Sequence, residues 1–280
     1  MSLTVFFAVL AAAFCHAGWN LLVKMKLDRL LALFLLQVMI GGMALVMLAV
    51  FPWPAAAALP FAVSTGLLHA GYNVFLARAY QTADLSQIYP IARGTAPLVT
   101  LLGASLFAGD RLAPAALAGL IIVVAGIWLI ASGGRRRLAL DRNSLFFALG
   151  TSLFIGVYTV VDGMGARISQ APSGYTATVF LFDALFMTLA TLSLRGPGIF
   201  TAVLPHWRSG LAAAALSLAA YWIVLWAMTL APIAAVAALR ETSILFVMVL
   251  SALFLKEKIT LARGLGGLLV VAGAMLLRLA

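Results

Sequence analysis

The sequence predicts an all-α integral membrane protein: ten transmembrane helices arranged as two inverted five-helix repeats. Three observations carry this. Of 280 residues, 65% are hydrophobic and 9% charged, against about 45–50% apolar and about 25% charged in soluble domains. Ten apolar runs follow one another, each near the roughly 20 residues that a helix needs to cross a bilayer. The second half of the chain also repeats residues of the first.

The runs fall at about 3–23, 30–51, 60–80, 85–107 and 112–132, then 144–164, 173–194, 210–230, 233–255 and 261–279. Pro52-Trp53-Pro54 separates the second from the third, and Gly133-Gly134 precedes an arginine cluster after the fifth. Arg195-Gly196-Pro197 closes the seventh, and Lys256-Glu257-Lys258 closes the ninth. A transmembrane barrel would show alternating segments of ~10 residues, so continuous runs read as helices. The first run carries no Lys or Arg before Lys24, which argues against a cleaved signal peptide.

The formal charge of +10, from 18 basic and 8 acidic residues, would suggest nucleic acid in a soluble protein. Here the basic residues lie between runs: Lys24, Lys26 and Arg29; Arg135, Arg136, Arg137 and Arg142; Lys256, Lys258 and Arg263. They read as charges flanking a membrane, with lipid and not nucleic acid as the partner. Ten spans put both termini on one side, and the charge bias puts that side away from the cytoplasm. The single Cys15 offers no internal disulfide.

A shift of 147 residues lays Arg93 on Arg240, Thr95 on Thr242, Asp110 on Glu257, Gly119 on Gly266 and Gly126 on Gly273. A shift of 140 lays Phe6-Phe7-Ala8 on Phe146-Phe147-Ala148. With five spans in each half, residues 1–140 and 141–280 must cross in opposite senses, the construction by which many secondary transporters place a site at the midplane. The paired glycines, seven apart on one face, point to close helix packing.

Ionisable groups at membrane depth are costly, by roughly 2.5–3.5 kcal/mol on insertion scales, and mark functional sites by default. Arg93 and Arg240 lie about 11–12 Å inside the fourth and ninth runs at 1.5 Å per residue, entering from opposite faces. A planar guanidinium suits a carboxylate or phosphate. The structural alternative pairs Arg240 with Glu241 or another buried acid, and Arg93 with a carbonyl. His16-Ala17-Gly18-Trp19-Asn20 in the first run is echoed by His69-Ala70-Gly71-Tyr72-Asn73 in the third, so each His and Asn share a helix face. Tyr89 lies one turn before Arg93, and Tyr158 and Asp162 share a face of the sixth run. Asp183 sits at the middle of the seventh. Trp222 and Trp226, one turn apart beside Tyr221, are read as apolar walls. Asp162, Asp183, Glu241, His16 and His69 are the groups able to relay protons. No metal-binding cluster, phosphate loop or nucleophile elbow is present, so no cofactor, metal site or enzyme activity is expected. Nothing here sets an oligomeric state beyond a monomer.

These residues resemble the drug/metabolite transporter superfamily, in particular its EamA type, which includes amino-acid exporters. The resemblance covers essentially the whole chain. It is carried by His16-Ala17-Gly18-Trp19-Asn20 with Lys24, by Tyr89-Pro90-Ile91-Ala92-Arg93-Gly94, and by Ala238-Leu239-Arg240-Glu241-Thr242-Ser243. The acidic Asp110-Arg111-Leu112 and Lys256-Glu257-Lys258 also fit, although the family more often has Gly-Glu there. The resemblance implies alternating access through a central cavity, and export of amino acids or related small metabolites across a bacterial inner membrane. It also implies cytoplasmic termini, opposite to the charge bias. Multidrug or sugar-phosphate substrates are the alternative within this fold; a passive channel and a membrane-embedded enzyme are the alternatives outside it.

Overall fold

The structure, a computed structural model, describes residues 1–22, 27, 29–82, 85–132, 142–254, 256 and 259–280. The flanking charges Lys24, Lys26, Arg135, Arg136, Arg137, Glu257 and Lys258 lie outside the described residues, as do the side chains of Arg29 and Tyr89.

The described residues form helices and connections, with no strand among them. The first five runs are α1 (Leu3–Leu22), α2 (Arg29–Val50), α3 (Leu59–Thr82), α4 (Leu85–Phe107) and α5 (Pro114–Ser132). Then come α6 (Arg142–Ile168), α7 (Pro172–Arg195), a short α8 (Ile199–Val203) and α9 (Trp207–Met228). The ninth run divides into α10 (Ile233–Arg240) and α11 (Ser243–Phe254), and α12 (Leu261–Leu279) closes the chain.

Among the described residues, eight stretches are long and apolar enough to cross a membrane: α1, α2, α5, α6, α7, α12, the α8–α9 run Ile199–Met228 and the α10–α11 run Ile233–Leu253. The third and fourth spans, α3 and α4, fall short by composition, and α4 keeps the shorter apolar stretch Ile91–Phe107. The cause is chemical: α3 carries His69, Tyr72 and Asn73, and α4 carries Arg93, all on the wall of an internal cavity. Large apolar side chains such as Phe7, Leu45, Leu102, Leu153 and Leu268 are exposed, while Arg93, Asp162, Asp183, Arg240 and Glu241 are buried. This inside-out distribution suits lipid as the solvent.

The extensive pairings are α5 with α12, α6 with α3 and α4, α2 with α7, and α1 with α9. The α5–α12 contact is backbone against backbone. A Cβ on Gly119 would stand 2.8 Å from the Gly273 carbonyl oxygen, and one on Gly126 would stand 2.7 Å from that of Gly266. The four glycines therefore allow the close approach that the sequence suggested.

The break in the ninth span was not foreseen. It is a tightening: Glu241 N–H bonds Ala238 O at 3.1 Å and Thr242 N–H bonds Leu239 O at 3.1 Å, a three-residue step in place of the four-residue one. Glu241 keeps helical dihedrals of φ −67° and ψ −12°, so the span tightens without being cut.

Candidate functional site

A cavity of about 120 Å³ lies among α1, α2, α3, α4, α6, α7, α9 and α10. The residues reached on α1 (His16, Trp19, Asn20) are near its end and those on α2 (Leu33, Leu36, Gln37) near its start. The cavity thus occupies the half of the bundle next to the face where α1 and α3 end and α2 and α4 begin.

Two turns of similar sequence meet there with different bonding. In α1, Asn20 Nδ2 donates to the His16 carbonyl at 2.8 Å and Trp19 Nε1 to His16 Nδ1 at 3.3 Å; the turn satisfies itself. In α3, His69 Nδ1 lies 2.7 Å from Asp183 Oδ2 on α7, and Asn73 Nδ2 lies 3.7 Å from Met187 Sδ. The α3 turn depends on a neighbouring helix.

From Asp183 a hydrogen-bonded chain continues. His69 Nε2 is 3.2 Å from Tyr221 OH, and Tyr221 OH donates in turn to Asp162 Oδ2. The other carboxylate oxygen of Asp162 takes Thr65 Oγ1 at 2.7 Å and Tyr175 OH at 3.3 Å. Tyr221 has one proton. With that proton on the Asp162 bond, His69 Nε2 donates to the Tyr221 oxygen, and Nδ1 either donates to Asp183 as a carboxylate or accepts from it as a carboxylic acid. Tyr158 fixes the ring from the side, edge-on with centroids 4.1 Å apart.

The two arginines part company. Arg93 Nε is 3.0 Å from Glu241 Oε2, with both side chains buried. The acid beside Arg240 therefore serves Arg93, the reverse of the pairing the sequence suggested. Consecutive helical residues point about 100° apart, so Arg240 faces the cavity while Glu241 turns to α4. Arg240 is 5% exposed. Its Nε has no hydrogen-bond partner, and no carboxylate lies within ion-pair distance of it among the described residues.

Of the residues singled out in the sequence, His16, Trp19, Asn20, His69, Tyr72, Asn73, Arg93, Tyr158 and Arg240 line the cavity. Asp162 and Glu241 do not line it; each reaches it through a partner, Tyr221 or Arg93. Trp222 and Trp226 are a correction. Trp222 Nε1 donates to Ser173 Oγ at 3.0 Å and its ring meets Phe51 edge-on. Trp226 packs into the core beside Val224 and Leu225. The face of α9 that meets the cavity carries Ser217, Ala220 and Tyr221 instead. Gln37 and Thr151 on the wall were missed; each is a polar side chain inside an apolar run, and that was their only signal. Asp183 drew attention as a mid-span acid and proves to be a wall residue.

The opposite end is tied shut. Gly109, at φ +67°, takes the left-handed conformation that glycine adopts without strain, and Asp110 N–H bonds back to Ala104 O at 3.1 Å. This wide turn, closed over six residues, directs Asp110 toward the end of α6. There Arg167 grips the carboxylate with Nη1 at 2.7 Å and Nη2 at 3.2 Å. Arg167 also donates to the carbonyls of Met228 and Ala231, at 2.9 and 3.0 Å. Asp110 accepts the first amide of α10, from Ile233. One ion pair thus holds the ends of α4 and α6 to the α9–α10 connection.

Residues 142–279 match the EamA-like transporter family. A solved structure titled only as the crystal structure of a protein superposes with a TM-score of 0.77 over 100% of this chain and 98% of that one, at 20% identity; that likeness is one of fold. No curated protein matches the sequence. The second half of the chain thus carries the signature of the EamA-like transporter family, part of the drug/metabolite transporter superfamily, and the protein is a multi-pass membrane protein.

Proposed function

We propose that this EamA-type membrane transporter exports small zwitterionic metabolites, amino acids first, across a bacterial inner membrane by alternating access. Arg240 carries the reading. A buried guanidinium on a cavity wall, with no carboxylate within ion-pair distance among the described residues, favours a carboxylate that arrives with the substrate. Tyr72, Tyr158 and Tyr221 give that substrate aromatic surfaces.

In this reading residues 1–140 and 141–280 are inverted repeats that rock about the cavity. Two features support it. Exchanging the five spans of one half for those of the other turns the α3–α6 pairing into α9–α1, and α3–α7 into α9–α2, all of which occur. It also turns the Gly119–Gly273 contact into Gly266–Gly126, which occurs as well. The tied end beyond Asp110, set against a cavity in the other half of the bundle, is what a state open to one side requires.

The test is counterflow of radiolabelled L-amino acids into proteoliposomes of the purified protein. Saturable flux is expected, reduced at least tenfold in an Arg240→Gln variant that keeps its melting temperature. Absence of flux with all twenty amino acids would overturn the reading. Competition by sugar phosphates in their place would assign the arginine to phosphate.

A further inference from the structure

An amino acid that places its carboxylate on Arg240 still has an amino group to satisfy. Resting on the zwitterion reading above, we propose that Gln37 of α2 and Asp183 of α7 form a subsite for a primary ammonium group on the substrate. Both residues line the same cavity as Arg240.

Asp183 is 1% exposed and uses only one of its carboxylate oxygens. Oδ2 takes His69 Nδ1 at 2.7 Å and Gln37 Nε2 at 3.4 Å. Oδ1 is buried with no hydrogen-bond partner, and so is Gln37 Oε1. The amide nitrogen of Gln37 faces the carboxylate, which turns its carbonyl oxygen away as a second open acceptor. A buried carboxylate oxygen is rarely left unbonded. Two buried acceptors without donors thus belong to two residues already in contact, on the wall that also carries the partnerless donor of Arg240.

The ligand that fits must bring hydrogens and positive charge. An ammonium has three donors and no acceptor. The charges around the subsite agree. Asp183 and Asp162 face His69 from α7 and α6, Tyr158 and Tyr221 flank it, and Arg240 lies on α10. Arg93 is held by Glu241. His69 offsets one carboxylate at most; with Arg240 taken up by the carboxylate of the substrate, the other is left for the ammonium. The 3.4 Å contact between Gln37 and Asp183 is at the long end for a hydrogen bond, so Gln37 gives way to admit the donor.

Chemical dissection of the ligand tests this. The tightest binder of the twenty L-amino acids is compared in calorimetry with its des-amino acid and its decarboxylated amine; for leucine these are 4-methylpentanoate and 3-methylbutylamine. Wild-type protein is expected to bind the amino acid at least tenfold more tightly than the des-amino acid. Asp183→Asn removes that preference by weakening the amino acid and the amine while the des-amino acid keeps its affinity. Arg240→Gln weakens the amino acid and the des-amino acid and spares the amine. Gln37→Leu gives a smaller loss of the same kind as Asp183→Asn, and serves if that variant does not fold. Equal affinity for the amino acid and its des-amino acid would overturn the subsite and leave the carboxylate reading standing. Amino-acid binding that needs Asp183 but ignores Arg240 would do the reverse. Des-amino acid binding that rises in sodium chloride over choline chloride would give the subsite to a metal cation and overturn the ammonium.

Discussion

Arg93 and Arg240 correspond under one sequence shift and sit at similar depth from opposite faces, yet their surroundings separate them. Arg93 has its carboxylate 3.0 Å away in Glu241. Arg240, one residue before that same Glu241, faces the cavity without one. Sequence equivalence set the depth of the two charges, and the direction in which Glu241 points decided which of them is neutralised. Arg93 thereby ties α4 to the ninth span, and Arg240 is left as the cation a substrate meets.

Breaking that difference should have its largest effect on stability. Glu241→Gln takes the carboxylate from the buried Arg93, and loss of one partner of a buried pair typically costs about 3–5 kcal/mol. Thermal unfolding in detergent should show it. The double variant Arg93→Met/Glu241→Met should recover most of the loss, since apolar replacement of a whole buried pair is often neutral. Recovery to no better than the single variant would assign Arg93 more than a tying role.

Removing the other guanidinium should leave folding intact and strike binding. Arg240→Gln should weaken a carboxylate ligand by about 2–5 kcal/mol, the usual effect of losing one partner of a desolvated charge pair. The difference between the arginines sharpens if Arg240→Lys restores part of the affinity, because lysine keeps the charge and loses the two-pronged geometry.

A third arginine sets the scale. The Arg167 side chain is 29% exposed against 9% for Arg93, so its pair with Asp110 is screened by solvent. Asp110→Asn should therefore cost about 1 kcal/mol or less in melting and show instead as an opened end: a cysteine placed at Ala231 should label faster with a polar maleimide. Gly109→Ala should act on the same tie more weakly. It strains one left-handed residue by about 1–2 kcal/mol, part of which the turn relieves by moving Asp110. A slower, smaller rise in labelling is the readout.

The spans were legible because lipid imposes a simple rule, about twenty apolar residues at a time, and the chain obeys it even where α3 and α4 interrupt it with polar side chains. Depth along a helix was legible for the same reason. Rotation about the helix axis was not. On α9 three aromatic residues occupy adjacent faces, and only packing against α7 and α6 shows that Tyr221, not Trp222 or Trp226, meets the cavity. Nor could spacing choose between Arg93 and Arg240 as the partner of Glu241. That depended on how the two spans are rotated against each other, at a tightened turn which no glycine or proline announces. Gln37 was invisible because one amide in an apolar run reads as noise until Asp183 stands opposite.

The reciprocal glycines of α5 and α12 carry a mechanical consequence. Each would place a Cβ within 2.6–2.8 Å of a carbonyl oxygen on the other helix, so no side chain separates the two backbones and neither can slide along the other without collision. The pair behaves as a fixed post. Any rocking of the helices around the cavity must turn against it, and amide hydrogens along this seam should be the last in the protein to exchange.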